Sequence, residues 1–167
     1  VSLTEGNGTV PGTVTVAEVN NIAALTSGIV EASISAGATS ALAGLTETGN
    51  AYTVTVTDTS GVSASALTAL AGKTTVDVNA SAVTSVTGSV SELTALYASN
   101  SGVSGLGNED ISLTETISVA NANTVNSLTG GAVTAVLTTG ALSTFLGLSE
   151  TGNAYTVTVT DTSGVSA

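Results

Sequence analysis

The chain has no cysteine, methionine, tryptophan, histidine or arginine; Lys73 is its one basic residue and Pro11 its one proline. Each absence removes chemistry. Zinc, haem and iron–sulfur sites take His or Cys ligands, and Ser–His or Cys–His nucleophiles need a partner that is missing here. Nucleic-acid binding works through basic groups that displace counterions from phosphates, and one lysine cannot supply it. The same deficit disfavours anionic membrane surfaces. No run approaches the 18 apolar residues of a membrane span, and the opening "VSLTEGNG" is no signal peptide. Aromatics are scarce as well. Tyr52, Tyr97 and Tyr155 are too few to build the sugar platforms that accompany a glycosidase carboxylate pair.

What remains is acidic and apolar. Twelve Asp and Glu residues give a net charge of −11, while 42% of the 167 residues are hydrophobic and the mean hydropathy is +0.49. Disordered chains are poor in β-branched apolar residues. This chain is rich in valine and regularly patterned, so it is expected to fold. An acidic chain without cysteine fits an extracellular bacterial protein, large members of which do without disulfides.

The stretch "ETGNAYTVTVTDTSGVSA" occurs at Glu47–Ala64 and again at Glu150–Ala167. At this 103-residue offset, residues 13–64 match residues 116–167 at 32 of 52 positions. Upstream, "VSLTE" (1–5) resembles "ISLTE" (111–115), with "GNGTVPG" reading as an insertion in the first copy. Residues 1–103 therefore form one repeat block, and residues 104–167 a partial second block continuous with it. Gly-rich "SNSGVSGLGNED" (99–110) is the best place for a break. The second copy stops where the first runs into "SALTALAG", so the pattern predicts a longer array. Neither end shows the polar cap that natural repeat arrays carry.

Within a block the signals alternate. Strand patterns fall at 13–16, 29–35, 52–58, 74–79, 82–86, 111–113, 116–119, 132–138 and 155–161. Apolar stripes at helical spacing are Val16, Val19, Ile22, Leu25; Ala38, Ala41, Leu42, Leu45; Val62, Ala66, Leu67, Leu70; and Val90, Leu93, Leu96, Tyr97. Thr15–Glu18 and Ser89–Glu92 fit capping boxes. Gly28, Gly49, Gly72, Gly131 and Gly152 are placed as left-handed residues after helices. Strands recurring with one short helix between them must pair in parallel, with right-handed crossovers as the default. The expected fold is α/β: a repeat solenoid with a parallel sheet on one side and short helices on the other. An all-β solenoid with the helices as corners is the alternative. Val54 and Val56 should point inward, and Thr53, Thr55 and Thr57 outward.

Few residues carry chemistry. Asp58 and Asp161, each in "DTSG" after a strand, are candidate calcium ligands, because carboxylate and backbone oxygens suit a hard cation. The competing assignment is a turn or cap in which the carboxylate accepts backbone amides. Asn108, Glu109 and Asp110 form the densest acidic spot and are the other calcium candidates, against a solvated loop. The glycine-rich nonapeptide of calcium-binding β-rolls does not occur. No catalytic or cofactor-binding residues emerge. Alternating threonines in "TVTVTDT" raise ice binding, but Glu31, Ser33, Ser35, Asp77 and Asn79 break the row in other strands.

The segments "VTVAEVNNIAALTSG" (14–28), "ISVANANTVNSLTGG" (117–131) and "SELTALYA" (91–98) resemble repeat tracts of very large secreted bacterial surface proteins, cyanobacterial and marine, of the adhesin or fibre type. The resemblance implies an extracellular location and a structural or adhesive role, and it assigns no functional residues. Together these readings lead to a non-enzymatic extracellular structural protein, a segment of a fibre, surface coat or adhesin stalk that associates with itself end to end through terminal coils. A calcium-dependent adhesive module and an ice-binding solenoid are the alternatives.

Overall fold

Helices begin where the capping residues place them. In the computed structural model, which describes residues 8–162, Thr15 and Ser89 each accept the amide of the residue three positions on, and Glu18 and Glu92 each reach back to the cap amide. The elements in chain order are β1 Gly8–Val14, α1 Val16–Ala23, β2 Val30–Ile34, α2 Thr39–Leu42, β3 Ala51–Thr53, β4 Val62–Ser63, α3 Ala64–Ala71 and β5 Val78–Asn79. They continue with β6 Ser85–Gly88, α4 Val90–Leu96, β7 Val103–Ser104, β8 Asp110–Ile117, α5 Val119–Asn126, β9 Val133–Leu137, α6 Leu142–Phe145 and β10 Ala154–Thr156. The fold is mixed α/β. Every strand pairing among the described residues is parallel.

The strands lie in three sheets, ordered β1-β2-β3, β10-β9-β8-β6-β4 and β5-β7, where the sequence suggests one. A hydroxyl explains one of the breaks. Thr74 Oγ1 accepts from Tyr52 N (2.9 Å) and donates to Tyr52 O (2.7 Å), so a side chain takes the place of the next strand's backbone beside β3. The pairing resumes beyond it as single bridges, Thr55 with Asn79 and Gly37 with Val56. The Gly-rich stretch 99–110 contains β7, which pairs with β5, and leads directly into β8.

The 103-residue period is visible in three dimensions. β1 meets β2 with Gly8 opposite Val30 and Val14 opposite Ile34; β8 meets β9 with Ile111 opposite Val133 and Ile117 opposite Leu137. Both pairs shift register at the same place, between Thr9 and Thr13 and between Ser112 and Thr116. Gly8–Val14 therefore stands where Ile111–Ile117 stands, and residues 8–12 of "GNGTVPG" are not an insertion in the ladder. The likeness of residues 1–5 to 111–115 falls outside the described residues. Pro11 sits inside the irregular stretch of an edge strand, where its missing N–H costs no ladder bond.

Asparagine side chains tie the turns together. Asn20 Nδ2 donates to Gly44 O (2.8 Å) and its Oδ1 accepts from Thr46 N (3.2 Å); Asn123 does the same with Gly147 O and Ser149 N. Asn50 Oδ1 takes Val30 N, and Asn153 Oδ1 takes Val133 N. An amide side chain presents an N–H donor and a C=O acceptor side by side, so it can imitate a strand residue.

Burial follows the alternation. Tyr52, Val54 and Val56 are fully buried, Thr53 and Thr57 are exposed and Thr55 is half-buried. Leu67, Leu70, Leu93 and Leu96 fill the space between helices and sheets. Three expectations need correction. Leu25 lies beyond the end of α1 and is 75% exposed. Val62 belongs to β4, not to α3. The helices do not end on left-handed glycines: Gly72 caps α3 at φ −65°, and Gly49 and Gly152, though at positive φ, lie well past α2 and α6. Gly28 and Gly131 are not at positive φ either. Gly131 is needed for a different reason, since a Cβ there would lie 2.5 Å from Glu109 O.

Hydrogen bonds from the caps hold several carboxylates below their ordinary pKa. For Glu18 and Glu92 the first cause is the backbone amide of Thr15 or Ser89; for Asp58 it is the Thr39 hydroxyl. A depressed folded pKa contributes stability that is present above the unfolded value and lost as pH falls through the folded one. Thermal melts are thus expected to show a plateau from neutral pH down to about 5 and a falling Tm below about 4. A flat Tm down to about pH 2 would show that these caps contribute nothing measurable.

Candidate self-association surface

Asp58 and Asp161 have one job, repeated. Helices α2 and α6 start at Ala38 and Ala141, whose side chains cannot cap. Asp58 Oδ2, 19 residues further on, accepts Thr39 N (2.5 Å) and the Thr39 hydroxyl. Asp161 Oδ2 accepts Leu142 N (2.6 Å). Each carboxylate caps a helix of the preceding turn of chain, rather than closing a local turn.

The other calcium candidates are also engaged. Glu109 is 4% exposed, and its carboxylate accepts Gly107 N (3.0 Å at Oε1, 2.8 Å at Oε2), Asn108 N (3.2 Å) and the Tyr97 hydroxyl. Burial and the neighbouring carboxylate push the Tyr97 phenol well above its ordinary pKa, so it stays a donor. Asp110 Oδ1 accepts Ala132 N (2.9 Å) on the adjoining turn. Asn108 contributes its backbone amide to Glu109. Glu109 is thus the buried centre of a hydrogen-bond network, while Asn108 and Asp110 stay exposed. Among the described residues, no group of three or more His, Cys, Asp or Glu side chains is placed to hold a metal ion. Asp58 and Asp161 sit at separate helix starts, away from 108–110 in the ladder order.

The outward rows are mixed. Thr9, Glu31 and Ala51 share one rank and Thr13, Ser33 and Thr53 the next, with Thr9 Oγ1 donating to Glu31 (2.9 Å). A polar cleft of about 510 Å³ lies between Asn123, Asn126 and Asn153, whose amides bond to one another and to nearby backbone.

The two copies differ in cover: residues 65–80 pack on the first, and the described residues include no counterpart for the second. Val54 and Val56 are 0% exposed; Val157 and Val159, in identical sequence, are 45% and 41% exposed. Thr39 is 8% exposed and its counterpart Leu142 is 37%. Leu45 and Tyr52 are fully buried, whereas Leu148 and Tyr155 are only half-buried. The opposite end shows the same contrast: Leu25 is open where its counterpart Leu128 is half-buried against the core.

Comparison of the chain with protein-family models, curated proteins and solved structures finds no match. No helix among the described residues is long and apolar enough to cross a membrane.

Proposed function

We propose that the chain is a segment of an extracellular, non-enzymatic structural protein, a fibre, surface coat or adhesin stalk, built as a solenoid and stacked end to end. The observation that supports this reading is the recurrence of one parallel strand pairing at the 103-residue offset, β1–β2 and β8–β9 in matching register. A repeat that cannot bury its face alone is stabilised by a neighbour, and a heterologous contact of this kind propagates instead of closing. The surface charge of −11 opposes sideways clumping. The extracellular placement rests on composition and on the resemblance to secreted repeat tracts.

The test is electron microscopy with light scattering across a concentration series. Linear particles that lengthen with concentration and with added salt, which screens the like charges, are expected. Monomers at every concentration would overturn stacking. The calcium-dependent alternative has less support, since each candidate acid already accepts protein donors. The same series run with a chelator decides between them: unchanged length and Tm are expected, and loss of both would favour calcium.

A further inference from the structure

Two asparagines of the chain stand in an Asn-X-Ser/Thr sequence, Asn79-Ala80-Ser81 and Asn7-Gly8-Thr9, and each has an acid two positions earlier, Asp77 and Glu5. We infer that Asn79 is an acceptor site for an N-linked oligosaccharide, added by an oligosaccharyltransferase of the bacterial type, which reads that acid as well as the hydroxyl. This rests on the extracellular placement, since such sequences are modified in secreted chains.

The three residues that such an enzyme reads fall together on the solvent side. Asp77, Asn79 and Ser81 are exposed, while Val78 and Ala80 between them are fully buried. Alternation along the chain thus turns acid, amide and hydroxyl outward and the spacer residues into the core. Asn79 Oδ1 accepts Ser81 N (3.0 Å), which fixes the amide and leaves Nδ2 without a protein partner. Other asparagines differ: Asn20 Nδ2 donates to Gly44 O, Asn123 Nδ2 to Gly147 O and Asn153 Nδ2 to Asn126. Beside Asn79 in the ladder stand Thr55 and Ser104. Both are small and hydroxylated, so the ladder puts no bulky side chain next to a sugar and offers it hydrogen-bond partners.

In the transfer, Nδ2 of Asn79 attacks the anomeric carbon of a sugar carried on a polyprenyl diphosphate. The C–N bond forms as the C–O bond breaks, the diphosphate leaves with the electron pair, and the amide gives one proton to a base of the enzyme. The backbone of Asn79 is engaged in the fold, its N–H donating to Val54 O and its carbonyl accepting Val56 N, both at 2.9 Å. An enzyme that must hold this backbone in its own groove therefore acts before the rung closes. Once the rung has closed, the side chain still faces water, and the folded protein carries the sugar without losing a backbone bond.

The full chain bearing Asn7→Gln, which leaves Asn79 in the one remaining sequence of this kind, is refolded in the presence of a purified bacterial-type oligosaccharyltransferase and a polyprenyl-diphosphate-linked oligosaccharide. Its intact mass is then measured, with a standard acceptor peptide confirming that the enzyme is active. Addition of one oligosaccharide is expected, lost with Asn79→Gln, Ser81→Ala or Asp77→Ala. The modified chain should melt within about 2 °C of the unmodified one. No gain in mass, transfer indifferent to these substitutions, or a larger fall in Tm on modification would overturn the assignment. Transfer to a chain that cell fractionation finds inside the cell would remove the extracellular reading and keep the acceptor. An exported chain that the enzyme leaves unmodified would remove only the acceptor.

Discussion

Val54→Asp is expected to destabilise the chain by more than about 4 kcal/mol, whereas Val157→Asp leaves the melting temperature of the monomer within about 2 °C of the parent. The two substitutions fall at the same position of the same 18-residue sequence. Val54 is fully enclosed, with its carbonyl held by Asn79 N. A carboxylate placed there loses its water and gains no cation, since Lys73 is the one basic residue of the chain. Val157 is 45% exposed, so a carboxylate there keeps its hydration. Its effect is expected on association: the concentration-dependent growth of particles should disappear. Thermal melts of the two variants, alongside light scattering, decide the matter. Comparable losses of Tm at both positions would refute the assignment of the β10 face as open.

Glu109→Ala should lower stability by about 3 kcal/mol, read as a fall of roughly 6 to 12 °C in Tm. The carboxylate is the shared acceptor for Gly107 N, Asn108 N and the Tyr97 hydroxyl, and it is almost wholly buried. Removing it leaves the Tyr97 hydroxyl and the amides of Gly107 and Asn108 without their shared acceptor, and a donor left unpaired costs more than its bond contributes. Glu109→Gln keeps one acceptor oxygen and should lose less. If Glu109→Ala melts within about 2 °C of the parent, the network is a surface decoration and not a strut.

The parts of the fold legible in the sequence are those decided within a few residues. Thr15–Glu18 and Ser89–Glu92 announce helix starts because both halves of the reciprocal bond lie three positions apart. Val54 and Val56 announce an inward face because side chains alternate along an extended chain. The two-residue strands β4 and β7 are not legible, since each is defined only by a partner on another turn. The role of Glu109 is hidden for the same reason. Its sequence neighbourhood looks like a solvated loop, and only Tyr97 and the amides of Gly107 and Asn108 convert it into a buried acceptor. Asp58 illustrates the limit from another side. Its capping role is predictable in kind, but the helix it caps begins 19 residues earlier. The demand on Gly131 is equally hidden, because it comes from Glu109 O pressing close and not from the glycine's own backbone angles.

The side-chain bonds that tie one turn to the next span a narrow range of chain, from 19 residues at Thr39–Asp58 to 27 at Asn126–Asn153. Loop-closure entropy rises slowly with length, so each rung costs about as much to close as the last, and none waits for a distant segment. Folding rates track how local the contacts are. A chain built this way can consolidate in order as it emerges from a ribosome or an export channel, needing only about one further turn of free polypeptide to lock each rung in place.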